Sequence, residues 1–145
     1  MLKKGSTILS KKLFMLTIGG GVVFWLTTIA ISLLPVAVEY RSAFSKANIQ
    51  TVWVASLPAG LIIGCCVSYF LLRFFDKIPT KNSILKALTL SFVAMFMIEF
   101  LSTLVDPNNA SVYLLIDTGM NVPRFLALGT VVGHLYDKLN GGAHS

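Results

Sequence analysis

Apolar residues in this sequence are gathered into four long runs that are separated by short polar stretches. The runs extend over residues 13–38, 52–75, 84–105 and 110–136. Each run is long enough to cross roughly 30 Å of hydrocarbon as a helix, because an α-helix rises about 1.5 Å per residue. The pattern therefore predicts an all-α protein, an integral membrane bundle of four transmembrane helices that makes a single domain of residues 1–145.

The composition supports the membrane prediction. Hydrophobic residues make up 55% of the chain, charged residues make up 12%, and the mean hydropathy is +0.78, whereas about 25% of an ordinary soluble domain is charged. Lysines precede the first run, as they precede a signal peptide, but the apolar stretch is longer than the roughly 7 to 15 residues of a signal's core. We therefore expect an uncleaved first helix, little soluble structure, and a location in the plasma (inner) membrane.

The net charge of +6 comes from basic residues at the ends of the apolar runs rather than on one amphipathic face. No nucleic-acid-binding motif accompanies them, so the predicted partner is the lipid bilayer and not nucleic acid. Nine lie before the first run, in or beside the connection between the second and third runs, or after the fourth. The opposite side has two, and Arg124 lies deep within the fourth run. Because the cytoplasmic side carries the excess of Lys and Arg, both termini are predicted to be cytoplasmic.

Small residues recur at helical spacing in two of the runs. They are Ser56, Gly60, Gly64 and Ser68 in the second run, and Gly129 and Gly133 in the fourth. Such residues let two helix backbones approach closely, so the spacing predicts packing against the first helix of the same chain or against a helix of another chain. Pro58 in the second run predicts a helix break or bend, because proline lacks the backbone N–H that a helix uses.

Polar residues form one stripe within the fourth run. Asp117, Asn121 and Arg124 are spaced i, i+4 and i+7, which on a helix confines them to an arc of about 60°. Gly119 and Pro123 interrupt the same stretch and predict a kink or local unwinding. Because non-helical backbone at membrane depth survives only where protein or a water-filled cavity covers it, the stripe is predicted to face the other helices.

Glu99 in the third run is the predicted counterpart of this stripe. Glu99 lies seven residues before Asp106, and Asp117 lies seven residues after Ala110, so both are about 10 Å below the turn that joins the runs. That short turn makes the two helices antiparallel neighbours, so the two carboxyl groups are expected to meet. Arg124 is expected to pair with them, because an unpaired charge within a membrane is costly.

The cluster of Glu99, Asp117, Asn121 and Arg124 has two interpretations. In the structural one, it is a buried network that fixes the register of the helices or docks the protein onto another membrane subunit. In the functional one, Glu99 and Asp117 are a proton or cation site beside an unwound segment, as in transporters with broken helices. Two carboxylates with one arginine leave an excess negative charge unless one is protonated, which is the main indication of proton coupling.

No catalytic, cofactor or metal site is predicted. Cys65 and Cys66 are adjacent, so on a helix they point about 100° apart and suit neither a disulfide nor a metal clamp. Asp117-Thr118-Gly119 matches the active-site triplet of aspartic proteases, but those enzymes use two matched aspartates, and this chain has one copy in a helical context. No nucleophile with a base, phosphate-binding loop or cofactor motif is present, so an enzyme is the least favoured class.

The leading functional hypothesis is a small non-catalytic multi-pass membrane protein. It would act as an accessory or oligomeric subunit, in a homo-oligomer or with other membrane proteins. The alternative is a proton- or cation-coupled transporter or channel of small solutes that uses Glu99 and Asp117. Because four helices enclose little space, a transporter of this size is expected to be oligomeric.

Overall fold

The computed structural model describes residues 2–44, 48–105 and 110–141. This part of the chain is almost entirely helical and contains no strand, which confirms the all-α prediction. Its α-helices are α1 (Leu2–Ser32), α2 (Pro35–Phe44), α3 (Ile49–Phe74), α4 (Ser83–Val105) and α5 (Ala110–Leu139), and a 3₁₀ helix, Phe75–Lys77, follows α3. The turn predicted at residues 106–109 lies outside the described residues.

Three helical segments in the described part are long and apolar enough to cross a membrane: Lys4–Ser32, Ile49–Lys77 and Ser83–Val105. They correspond to the first three apolar runs, so the membrane character of the chain is confirmed to this extent. α5 is 30 residues long, but its polar stripe lowers its mean hydropathy, and it is not one of these three segments.

The first apolar run forms two helices and not the single helix that its length predicted. α1 ends at Ser32, and α2 begins at Pro35 after a turn at Leu33 and Leu34. Proline disfavours the helical conformation of the residue before it, whereas it fits the first position of a new helix. α1 also begins earlier than predicted, because the helix continues through the basic N-terminal segment to Leu2.

α1 lies between α3 and α5, and α5 lies between α1 and α4. α3 and α4 contact each other much less than these neighbouring pairs do. In the core, the ring of Phe24 on α1 packs edge-on against that of Phe125 on α5, with 5.4 Å between the ring centroids. Other buried core residues come from all four long helices: Leu16, Val67, Leu71, Ala87, Met95, Leu128 and Val132.

The row of small residues on α3 lies against α1. A Cβ atom on Gly60 would lie 3.0 Å from the backbone oxygen of Gly21, and one on Gly64 would lie 3.1 Å from the backbone nitrogen of Gly21. At the ends of the row, Ser56 is half-buried and Ser68 is fully buried. The helix that these small residues approach therefore belongs to the same chain.

Gly129 and Gly133 on α5 lie against α4. A Cβ atom on Gly133 would lie 2.5 Å from the Cα atom of Ile84, and one on Gly129 would lie 2.9 Å from the Cα atom of Leu88. The absence of a side chain at these positions lets the two backbones come this close. This contact joins the second half of α5 to the first half of α4. It therefore sets the distance between the two helices, and so the distance between Glu99 and the polar residues of α5.

The three residues predicted to break helices lie inside continuous ones. α3 continues through Pro58, and α5 continues through Gly119 and Pro123. The local unwinding predicted in α5 is therefore not present. Proline within a membrane-type helix is tolerated where neighbouring helices support the segments on both sides. A bend at either proline stays a prediction.

Candidate functional site

Glu99 is placed in the bundle interior by the buried face of α4. Residues on this face recur every fourth position: Ser83, Ala87, Ser91, Met95 and Glu99 are all buried. Residues four apart lie on one side of a helix, so the packing that buries Ser91 and Met95 also buries Glu99. Only 3% of the surface of Glu99 is exposed.

Asn121 on α5 joins the two carboxyl groups. Its side-chain nitrogen, Nδ2, donates a hydrogen bond of 2.5 Å to Glu99 Oε1 and a longer one of 3.3 Å to Asp117 Oδ2. An amide group carries two N–H donors, so one asparagine can bind a carboxyl group on each helix. The structure thus brings Glu99 and Asp117 to the same amide nitrogen.

Arg124 binds the opposite end of that amide. Its Nη1 donates a hydrogen bond of 2.9 Å to Asn121 Oδ1. Among the described residues, the structure shows no salt bridge, with nitrogen and oxygen within 4.0 Å, between Arg124 and Glu99 or Asp117. The structure therefore does not support the direct ion pair that was expected from the sequence. The reason is that Asn121 lies between Asp117 and Arg124 on one side of α5 and reaches both.

Two buried polar atoms of the cluster have no hydrogen-bond partner within the described ranges. They are Glu99 Oε2 and Arg124 Nε. Such an atom costs about 1–3 kcal/mol when it is desolvated without a partner. Glu99 therefore keeps one acceptor oxygen that a proton or a cation would satisfy.

Gly119 and Pro123, which the sequence grouped with the polar stripe, line a cavity on another side of α5. Asp117 and Gly119 are two positions apart, so they point about 160° apart around the helix. The cavity has a volume of about 310 Å³ and is lined by apolar residues of α5, by Ile31 and Leu34 at the end of α1, and by Val36 and Ala37 of α2. The polar cluster and the apolar cavity thus occupy different sides of α5.

Two hydrogen bonds that the sequence did not reveal fix α1 against α3, near the end of the bundle at which the cavity lies. Trp25 Nε1 donates to the backbone oxygen of Trp53 over 2.9 Å, and Trp53 Nε1 donates to Ser32 Oγ over 2.7 Å. A buried tryptophan is expected to find a partner for its N–H. A backbone oxygen on another helix, however, leaves no signal in the sequence.

Lys86 is buried near the end of the bundle that lies away from the polar cluster. In the sequence, it was only one of the basic residues that predict the orientation in the membrane. Its Nζ donates to the backbone oxygen of Phe75 over 2.5 Å and lies 3.8 Å from the centroid of the Phe75 ring. That ring stacks on Tyr136 of α5 with 4.5 Å between centroids. Lys12 of α1 donates a hydrogen bond to Asn140 just after α5. These contacts join the ends of the four long helices.

Among the residues that the structure describes, no group of three or more His, Cys, Asp and Glu side chains is arranged around one point. Cys65 and Cys66 are free thiols, both exposed on α3. Comparison of the chain with models of protein families, with curated proteins and with solved structures finds no match.

Proposed function

We propose that the chain crosses the membrane four times, through α1, α3, α4 and α5, with both termini in the cytoplasm. α1 and α5 run antiparallel along most of their length: Gly19 lies against Leu135 near one end, and Ile31 and Leu115 line the same cavity near the other. A 30-residue helix such as α5 is about 45 Å long, which exceeds the roughly 30 Å of hydrocarbon. The excess of basic residues, nine against two, supports the cytoplasmic placement of both termini.

We further propose that the protein is non-catalytic and acts as an accessory or oligomeric subunit. The observation that carries this proposal is the burial of Glu99 with its Oε1 bound to Asn121 of the adjacent helix. A carboxyl group is costly within a bilayer, so a polar contact between two helices strongly favours the one register that satisfies it. The continuity of α5 also supports a structural role, because the transport interpretation relied on an unwound segment.

Asp117 and Arg124 supply the surface on which a partner would dock. Both side chains are only half-buried, whereas Glu99 and Asn121 are buried. A half-buried charged group at membrane depth becomes more stable when a polar or charged group of another helix pairs with it. The expected partner is therefore a second copy of this chain or another membrane subunit.

Mass measurement of the protein in gentle detergent tests this role. We expect the wild-type protein to be part of a complex, and we expect Asp117→Asn and Arg124→Gln to dissociate it while each variant remains folded. Lys81→Gln, which removes an exposed charge outside the cluster, is the control and should keep the complex. A wild-type protein that is monomeric and carries no other protein would contradict the proposal.

The free acceptor on Glu99 is the observation that favours the alternative, a proton- or cation-coupled transporter. In liposomes, this alternative predicts a pH-dependent flux that Glu99→Gln abolishes although the protein stays folded. Such a result would make the cluster a transport site. The absence of flux with the wild-type protein would exclude transport of the tested solutes and leave the structural role.

A further inference from the structure

The apolar cavity of about 310 Å³ lies where α1 ends and α2 begins. Because α1 ends at Ser32 and α2 begins at Pro35, the chain does not continue as one straight helix beside α5. α5 supplies the facing wall, which includes Met120 and Pro123. The cavity therefore lies between the helix break at the end of α1 and the facing side of α5.

The size and the walls of the cavity suit a hydrocarbon chain. The volume of about 310 Å³ is about twenty times the roughly 15 Å³ that a cavity needs in order to admit one water molecule. Its lining side chains carry no polar atoms that would select a polar ligand. If α1 and α5 cross the bilayer, the surrounding medium at this depth is lipid and not water. An acyl chain is therefore the occupant that both suits the apolar walls and is present in the surrounding medium.

Gly119 leaves one part of the cavity wall open. A Cβ atom built on Gly119 would have no other atom within 4 Å, whereas Gly129 and Gly133 on the same helix are closely covered by α4. The open space is therefore specific to the cavity side of α5. A larger side chain at Gly119, which lines the cavity, would meet no other protein atom within 4 Å of its Cβ atom.

Arg41 offers a contact for a phosphate group near the cavity. It lies in the last turn of α2, four residues after Ala37, which lines the cavity. Residues four apart share one side of a helix, and Arg41 is half-buried whereas Glu39 is exposed. A guanidinium group binds phosphate oxygens with paired, charge-assisted hydrogen bonds.

We propose that this cavity is a phospholipid site that binds one acyl chain along Gly119 and Pro123 and places the headgroup phosphate beside Arg41. The site rests on the membrane placement of α1 and α5. It does not rest on the accessory-subunit role, so a monomeric protein would leave this inference intact.

Native mass spectrometry of the full chain, loaded from vesicles of phosphatidylglycerol and phosphatidylcholine, tests the proposal. We expect one phospholipid to remain bound after detergent exchange has removed loosely held lipid. Gly119→Leu fills the cavity and should abolish this retention. Leu126→Phe enlarges an exposed residue of α5 that does not line the cavity, and it should keep the lipid.

The headgroup contact is tested in the same measurement. Arg41→Gln should weaken retention of phosphatidylglycerol about fivefold, which is the order expected for one basic residue beside an anionic headgroup. Glu39→Gln is the matched control, and it should not weaken retention. Undiminished retention of phosphatidylglycerol with Arg41→Gln would overturn the assignment of the phosphate to this residue.

A photoreactive acyl chain, used with the wild-type protein, gives a readout that does not depend on the folding of any variant. The label should concentrate on residues 31–37 and 115–123, the segments that line the cavity. A label spread evenly over the exposed faces of α3 and α4 would overturn the proposal. So would a wild-type protein that retains no phospholipid, or a folded Gly119→Leu variant that retains it as the wild type does.

Discussion

Asn121 is the residue on which the polar cluster depends most, because its single amide group binds three ionisable side chains. Its nitrogen donates to Glu99 and Asp117, and its oxygen accepts from Arg124. Ionisable groups inside a membrane lose hydration, and their mutual attraction offsets that loss only when further hydrogen bonds are satisfied. An uncharged amide supplies such bonds to both signs of charge.

Replacing Asn121 with leucine, which has a similar volume, should therefore lower the free energy of unfolding by about 3 kcal/mol, since three side chains lose a hydrogen-bond partner at once. Thermal unfolding in detergent micelles, followed by circular dichroism, measures the change. Val122→Ala alters the neighbouring, exposed position and should change stability by less than about 0.5 kcal/mol. Equal stability of Asn121→Leu and the wild type would mean that these bonds contribute nothing net.

Lys86 gives a second prediction of this kind at the opposite end of the bundle. Lys86→Met keeps the length of the side chain but leaves the backbone oxygen of Phe75 without its donor, so it should cost about 1–3 kcal/mol. Lys81→Met, at an exposed position, should be nearly neutral. The same unfolding measurement compares the two, and a Lys86→Met protein as stable as Lys81→Met would refute the structural role of the buried lysine.

For these side chains, the sequence indicated which residues come together but not how they bind. Equal distances from the turn placed Glu99 and Asp117 at one depth, and helical spacing placed Asn121 on the same side. Whether Arg124 reaches a carboxylate or the amide depends on side-chain rotamers and on the distance between α4 and α5. That distance follows from three-dimensional packing, which residue spacing alone does not contain.

α4 and α5 are held together in two different ways along their length. Gly129 and Gly133 allow direct backbone contact in one half, and the hydrogen bonds of Asn121 join the helices in the other. In a membrane, close packing and polar contacts carry most of the attraction between helices, because lipid is as apolar as leucine. The geometry of the polar half therefore depends on the glycines in the other half.

Gly133→Ala should separate the two helices, because its Cβ atom would lie 2.5 Å from the Cα atom of Ile84, and a backbone cannot move away as a side chain does. We expect a loss of stability of about 1–3 kcal/mol. Gly119→Ala on the same helix has open space and should be neutral or stabilising by up to about 1 kcal/mol, since alanine favours helix. If both variants unfold at the wild-type temperature, the close contact between α4 and α5 is not required.

The apolar runs predicted α3 and α4 to within a few residues, because both helices end where apolar sequence gives way to polar residues. The same pattern missed the break before Pro35, since the residues that follow it are also apolar. Hydropathy reports a preference for lipid, whereas this break depends on the backbone of proline. It also missed the helix before residue 13, because exposed lysine and serine residues are compatible with a helix without adding hydropathy.

The arrangement of the helices around the bundle was the least predictable feature of the molecule. The small residues of α3 fitted a partner in the same chain or in another, and the structure places them against α1. α1 can fill this position because Gly19, Gly20 and Gly21 present little side-chain volume between α3 and α5. Such a choice of partner depends on the shapes of two surfaces, and one sequence pattern describes only one of them.

The proposed architecture requires α5 to return the chain to the side on which it began. Cysteine labelling of intact cells with a membrane-impermeant maleimide tests this most directly, in a protein carrying Cys65→Ser and Cys66→Ser. Single cysteines are introduced by Asn48→Cys before α3, Lys81→Cys between α3 and α4, and Lys138→Cys at the end of α5. We predict that Asn48→Cys reacts in intact cells and that Lys81→Cys and Lys138→Cys react only after permeabilisation. Reaction of Lys138→Cys in intact cells, with Lys81→Cys still protected, would contradict a fourth crossing.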